Sequence, residues 1–132
     1  MKPFNLDKDF QIIILPVRLE GPLHTRYMRM ILDTGATYTM ICPEILIETG
    51  YDLSMPTRKV AITTASSVEY APFFNIQSLE TLGHKAVKIE VASHTLPPRI
   101  PAEGLLGLNF LRHFRNDLDF PNLAIRLLKQ PR

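Results

Sequence analysis

Eleven prolines are spread along this 132-residue chain against six glycines, and its apolar stretches rarely exceed eight residues. Proline interrupts helices and is kept out of sheet interiors, so such spacing suits short strands divided by turns. A mostly β chain is expected, and its length fits one compact domain, taken as residues 1–132 with a core of about 11–128.

Gln11 to Glu20 reads as a first strand and Thr25 to Asp33 as a second, joined through the turn Gly21 to His24. Met28, Met30 and Leu32 alternate with Tyr27, Arg29 and Ile31, the period of two that separates the faces of a strand. Tyr38 to Ile41 forms a third strand. Pro43 to Thr49 has the marks of a short helix: proline at its first position, Glu44 near its positive end and Gly50 as its stop.

Further along, Lys59 to Thr64 and Val68 to Phe74 flank the polar tip Ala65-Ser66-Ser67 as hairpin arms. Ile76 to Leu82 pairs with Lys85 to Val91 around Gly83-His84, and in the latter Val87, Ile89 and Val91 alternate with Lys88 and Glu90 as a half-buried strand. Ala92 to Glu103 carries three prolines and no periodicity, so it is a loop. Leu108 to Phe114 presents an apolar helical face, and Leu118 to Phe120 with Leu123 to Leu128 closes the chain as a last pair.

Hydrophobic residues at 45% and charged residues at 21% suit a folded globular protein. The net charge of +2 is small, and Arg112, Arg115, Arg126, Lys129 and Arg132 read as a solvated basic face. Nucleic-acid binding calls for a clustered stripe with interleaved aromatics, so no nucleic-acid partner is expected. The apolar run from Gln11 to Val17 is too short to span a membrane, and Met1 to Phe10 lacks a signal-peptide pattern, which makes the cytoplasm the default location. Cys42 is the single cysteine and reads as a packing residue; His24, His84, His94 and His113 lack metal-ligand spacing, and neither metal nor cofactor is expected.

The chemistry concentrates at Ile31-Leu32-Asp33-Thr34-Gly35-Ala36-Thr37, where two apolar residues deliver an aspartate to a tight turn. By itself Asp-Thr-Gly describes many strand ends, with the aspartate accepting backbone hydrogen bonds and the glycine free to take a positive φ. Here a short strand and a helix follow, and downstream a second apolar element, Leu105-Leu106-Gly107, opens another helix.

That paired arrangement resembles the retropepsin-like aspartic proteases, over roughly Gln11 to Leu128. The resemblance implies an all-β, closed acid-protease barrel with one or two short helices, in which Leu105, Leu106 and Gly107 cross beneath the catalytic loop in a ψ-shaped motif. It further implies an aspartic endopeptidase with Asp33 as the catalytic carboxylate and Thr34 and Gly35 supporting the loop. Gly35, Ala36 and the flap tip Ala65, Ser66 and Ser67 would contact a peptide or protein substrate. In such enzymes one carboxylate takes a proton from water while the other, protonated, polarises the scissile carbonyl. Of Asp7, Asp9, Asp33, Asp52, Asp117 and Asp119, Asp33 alone precedes Thr-Gly, so one chain holds half a site and a homodimer is implied.

Two features depart from the retroviral members. The flap tip has no glycine, and Leu108-Asn109 stands after Gly107 where those members place an arginine. Bacterial and cellular members are the nearer likeness, with a subunit interface built differently from the retroviral one. The alternative is a retropepsin-like dimerisation or peptide-binding module without catalysis.

Overall fold

The computed structural model describes residues 1–63 and 68–129. Strand β1 (Lys2–Pro3) and β2 (Asn5–Leu6) precede the long hairpin of β3 (Ile13–Glu20) and β4 (Thr25–Leu32). Next come β5 (Met40–Ile41), helix α1 (Pro43–Thr49), β6 (Arg58–Thr63), β7 (Val68–Thr81) and β8 (His84–Ser93). The chain ends with β9 (Gly104–Leu106), helix α2 (Leu108–Leu111), β10 (Phe114–Asp119) and β11 (Ala124–Lys129).

Six strands in the order β3-β4-β9-β5-β8-β7 close into a barrel, because β7 returns to pair with β3 through Arg18↔Glu80, Leu19↔Leu79 and Glu20↔Ser78. Leu15, Val17 and Leu19 of β3 and Met28 and Met30 of β4 point inward with Ile76, Leu79, Val91 and Leu106, all fully or almost fully buried. Burying each such side chain contributes roughly 1.5–3 kcal/mol before entropy is counted. The alternation read at Met28 and Met30 is thus the inner face of β4, with Tyr27 and Arg29 outside.

Prolines sit where the ladder can spare an N–H. Pro16 falls between the part of β3 that pairs with β2 and the part that pairs with β7. Pro72 lies just before the stretch of β7 that pairs with β8, so β7 runs unbroken for 14 residues where two strands were expected. Helix α1 is as read, with Pro43 in its first turn and Gly50 in the left-handed region at φ 107°. Gly21 has to be glycine for another reason: a Cβ there would lie 2.3 Å from the Thr49 carbonyl oxygen, where the β3–β4 turn rests on the end of α1.

Three further expectations change. The N-terminal ten residues contribute two strands, and β1 joins β11 and β10 in a separate three-stranded sheet within one chain. The helix after Gly107 stops at Leu111, because Asn116 donates its side-chain N–H groups to the carbonyls of Leu111 (3.1 Å) and Phe114 (2.8 Å) and turns the chain into β10. Val87 is 64% exposed, although Ile89 and Val91 are buried as expected. Lys88 between them takes a φ of +53°, which interrupts the pleat, and the β7–β8 ladder passes from Ile76↔Ile89 to Ser78↔Val87 without a Gln77–Lys88 pair.

Candidate active site

Asp33 follows the last residue of β4 and is half-buried. Its N–H donates to the Leu106 carbonyl (3.0 Å), its Oδ1 accepts the Gly35 N–H (2.9 Å), and its carbonyl accepts the Ala36 N–H (3.3 Å). Gly35 does not use a positive φ. It suits the turn because a Cβ would approach Asp33 Oδ1 to 3.3 Å and crowd the carboxylate. Thr34 and Gly35 are exposed in the single chain, while Ala36 is half-buried.

The floor beneath this loop is β9. It lies parallel to β4 through Met30↔Gly104, Ile31↔Leu105 and Leu32↔Leu106, and antiparallel to β5 through Met40↔Leu105 and Ile41↔Gly104. Leu105 and Leu106 thus run between the strand that delivers Asp33 and the strand that leaves it. Gly107 has no room for a side chain, since a Cβ would meet the Tyr38 carbonyl carbon and oxygen at 2.6 Å and the Ala36 oxygen at 2.9 Å. Close approach at Gly107 lets Leu108 N–H reach Ala36 O (2.8 Å) and Asn109 N–H reach Thr37 O (3.1 Å).

Two polar residues overlooked in the sequence lock this crossing. Thr39, fully buried, donates from Oγ1 to Asn109 Oδ1 (2.7 Å) and accepts the Gly107 N–H (3.1 Å); its own N–H also donates to Asn109 Oδ1 (2.9 Å). Asn109 Nδ2 donates to the Glu90 carbonyl (2.7 Å), so both ends of the amide are satisfied and its orientation is fixed. The signal was present: a threonine within the apolar run Tyr38 to Ile41, and an asparagine inside the apolar segment that follows Gly107.

Next to the loop, Gly35, Ala36, Tyr38, Met40, Val60 and Ala92 line most of a cleft of about 320 Å³. Tyr38 packs edge-on against Phe73 at 4.7 Å, and the Arg58 guanidinium lies over both rings, 5.5 Å and 4.9 Å from their centres. Glu90 receives Arg58 Nε at 3.1 and 3.0 Å and Nη2 at 2.5 Å, which raises the Arg58 pKa and holds the Glu90 carboxyl below its ordinary value. The expected substrate contacts Ala65, Ser66 and Ser67 lie outside the described residues; the arms β6 and β7 that lead to them pair from Arg58↔Phe73 to Thr63↔Val68.

Residues 19–113 match the family described as "gag-polyprotein putative aspartyl protease". The chain belongs to that family of aspartyl proteases. The match takes in both the Asp33 loop and the Leu105-Leu106-Gly107 crossing of this aspartyl protease, and ends before β10. Among solved structures, a retropepsin-like aspartic protease from Rickettsia conorii aligns over 97% of each chain with a TM-score of 0.71 at 17% identity. At that identity the likeness speaks for the fold, and the closed barrel is retropepsin-like. No curated protein matches in sequence.

In the aspartyl protease the remaining reactive side chains have ordinary tasks. Burial, then the nearby Glu44 and Glu103 carboxylates, push the Cys42 thiol up, which keeps it protonated and packed against the core. The ring nitrogen Nε2 of His84 bonds the Leu127 carbonyl at 2.7 Å, and that of His94 bonds Glu69 at 3.3 Å. No helix among the described residues is long and apolar enough to cross a membrane.

Proposed function

We propose that the chain is a single-domain aspartic endopeptidase that acts as a homodimer, with Asp33 of each subunit at a shared two-fold axis. One observation carries this most directly. A lone catalytic-type aspartate is held by a rigid backbone crossing, while Thr34 and Gly35 beside it stay exposed in the isolated chain. A second copy of the loop would cover that surface and give the Thr34 hydroxyl the partner it needs on burial.

Two carboxylates brought into contact share one proton, because both cannot ionise cheaply side by side. The ionised Asp33 takes a proton from water as its oxygen attacks the scissile carbonyl carbon, and the protonated Asp33 donates its hydrogen bond, then its proton, to the carbonyl oxygen. On collapse of the tetrahedral gem-diol the first Asp33 gives the proton it took from water to the leaving nitrogen, the second takes back a hydroxyl proton as the carbonyl reforms, and the C–N bond breaks. Gly35, Ala36 and the flap tip Ala65-Ser66-Ser67 bind the peptide backbone, and the cleft between Tyr38, Met40, Val60 and Ala92 takes an apolar side chain next to the cut.

Substituting Asp33→Asn lowers peptide cleavage by about a thousandfold or more while leaving the fold intact. Mixing that variant into wild-type protein tests the stoichiometry: activity falls with the square of the wild-type fraction once subunits exchange. Cleavage by the pure variant at the wild-type rate contradicts the role of Asp33, and a linear fall on mixing contradicts the shared site.

A further inference from the structure

A larger cavity, of about 470 Å³, shares Tyr38 with the apolar cleft. Thr37 and Tyr38 line both spaces, so the two adjoin beside the Asp33 loop. The two differ in charge. Lys88, Arg112 and His113 border the larger cavity together with Arg58 and Glu90.

Arg58 and Glu90 neutralise each other through three hydrogen bonds, so neither is available to a ligand. Among the described residues Lys88, Arg112 and His113 enter no ion pair. Two positive charges, on Lys88 and Arg112, therefore border one cavity without a carboxylate partner of their own. The reading of Arg112 as part of a solvated basic face does not include this neighbour, because Lys88 arrives from β8 while Arg112 ends α2.

Backbone geometry gives an independent sign. Lys88 holds a left-handed φ of +53° in the middle of β8, a conformation uncommon outside glycine, asparagine and aspartate and found preferentially at functional sites. The distortion removes the Gln77–Lys88 pair, sends the Gln77 N–H to Tyr51 Oη at 2.9 Å, and leaves Val87 facing water. An ordinary strand residue there would leave alternation intact; this one brings Val87, Lys88 and Ile89 in succession to the cavity wall.

We propose that this cavity is an outer specificity subsite that receives an acidic side chain of the bound peptide, held by Lys88 and Arg112. The inference rests on the peptide-cleaving role proposed above and deepens it by naming the substrate class: an apolar residue near the cut and a glutamate or aspartate several positions away. Charge-assisted hydrogen bonds to lysine and arginine favour a carboxylate over its amide at such a position.

The test reads binding separately from turnover. Asp33→Asn protein is presented with a randomised decapeptide library, and the retained peptides are sequenced by mass spectrometry. Glutamate and aspartate are expected to be enriched several-fold over glutamine and asparagine at one position away from the apolar preference. The enrichment should vanish in the Asp33→Asn/Lys88→Gln/Arg112→Gln protein and persist with Lys85→Gln, which removes a positive charge from β8 outside the cavity. Arg112→Gln alone, on the short helix's edge, serves if the combined variant fails to fold and should reduce the enrichment. Absence of acidic enrichment, its survival without Lys88 and Arg112, or its equal loss with Lys85→Gln overturns the inference. Wild-type protein that retains acidic peptides but cuts none of them would instead count against the protease role and leave the subsite standing.

Discussion

Beneath the Asp33 loop the crossing is held by backbone and amide hydrogen bonds between uncharged groups, whereas the outer wall of the cleft at Arg58, Lys88 and Glu90 is charged and reaches solvent. Thr39 is fully buried, Gly107 has no room for a side chain, and both ends of the Asn109 amide are hydrogen-bonded. Arg58 and Glu90 keep 46% and 26% of their side chains exposed, and their attraction competes with water and salt. On the proposed function the contrast separates tasks: rigidity where two carboxylates would be placed, and exposed charge where one peptide would be told from another.

Substitutions can break this contrast, and the floor should give the largest response. Gly107→Ala drives a Cβ into the Tyr38 carbonyl, and since backbone must shift on both sides, a loss of about 3 kcal/mol is expected in urea unfolding. A Gly107→Ala protein as stable as wild type would mean that the crossing is loose. Thr39→Val keeps the shape but leaves the Gly107 N–H without its acceptor and removes one donor from Asn109. The expected cost is about 1–3 kcal/mol, and hydrogen exchange at Gly107 should quicken with it.

The wall should respond least, and with a sign set by pH. Arg58, through its hydrogen bonds first, depresses the Glu90 pKa below its ordinary 4.5. The pair's stabilisation is therefore fully present above that value and is lost as pH falls through the lower, folded one. Glu90→Gln should lower stability slightly at neutral pH and not at all once pH has fallen below the folded pKa, which flattens the acid side of the profile, with the difference shrinking in high salt. A drop at pH 7 as large as that of Thr39→Val would show that the wall is structural after all.

The same two regions differ in how far the sequence announces them. Asp33-Thr34-Gly35 and Leu105-Leu106-Gly107 are legible because their residue types match what the backbone does locally: an aspartate that accepts its own turn's N–H, and glycine where two strands touch. Helix α1 is legible for the same reason, bounded by Pro43 and Gly50. Lys88 is the opposite case. Its left-handed conformation is imposed by the strands around it, lysine has no preference for it, and the apolar alternation at Val87, Ile89 and Val91 predicts a regular pleat. Strands β1 and β2 escaped notice because two-residue strands carry no period, and β7 was divided at Asn75 because two successive hairpins, to β6 and to β8, were each expected to have their own strand. Thr39 and Asn109 are two isolated polar residues in sequence, and only the crossing makes them a pair.

The crossing of β9 also bears on when the site comes into being. Residue 30 pairs with residue 104, and residue 33 is anchored by residue 106, so the loop that carries the aspartate is synthesised long before the strand that fixes it. Contacts this distant along the chain form late and set a slow step in folding. A nascent or truncated polypeptide that ends before Gly104 carries the whole Asp33 motif yet lacks the strand that anchors it. On the proposed function, the order of the chain itself thus delays the appearance of a hydrolytic centre.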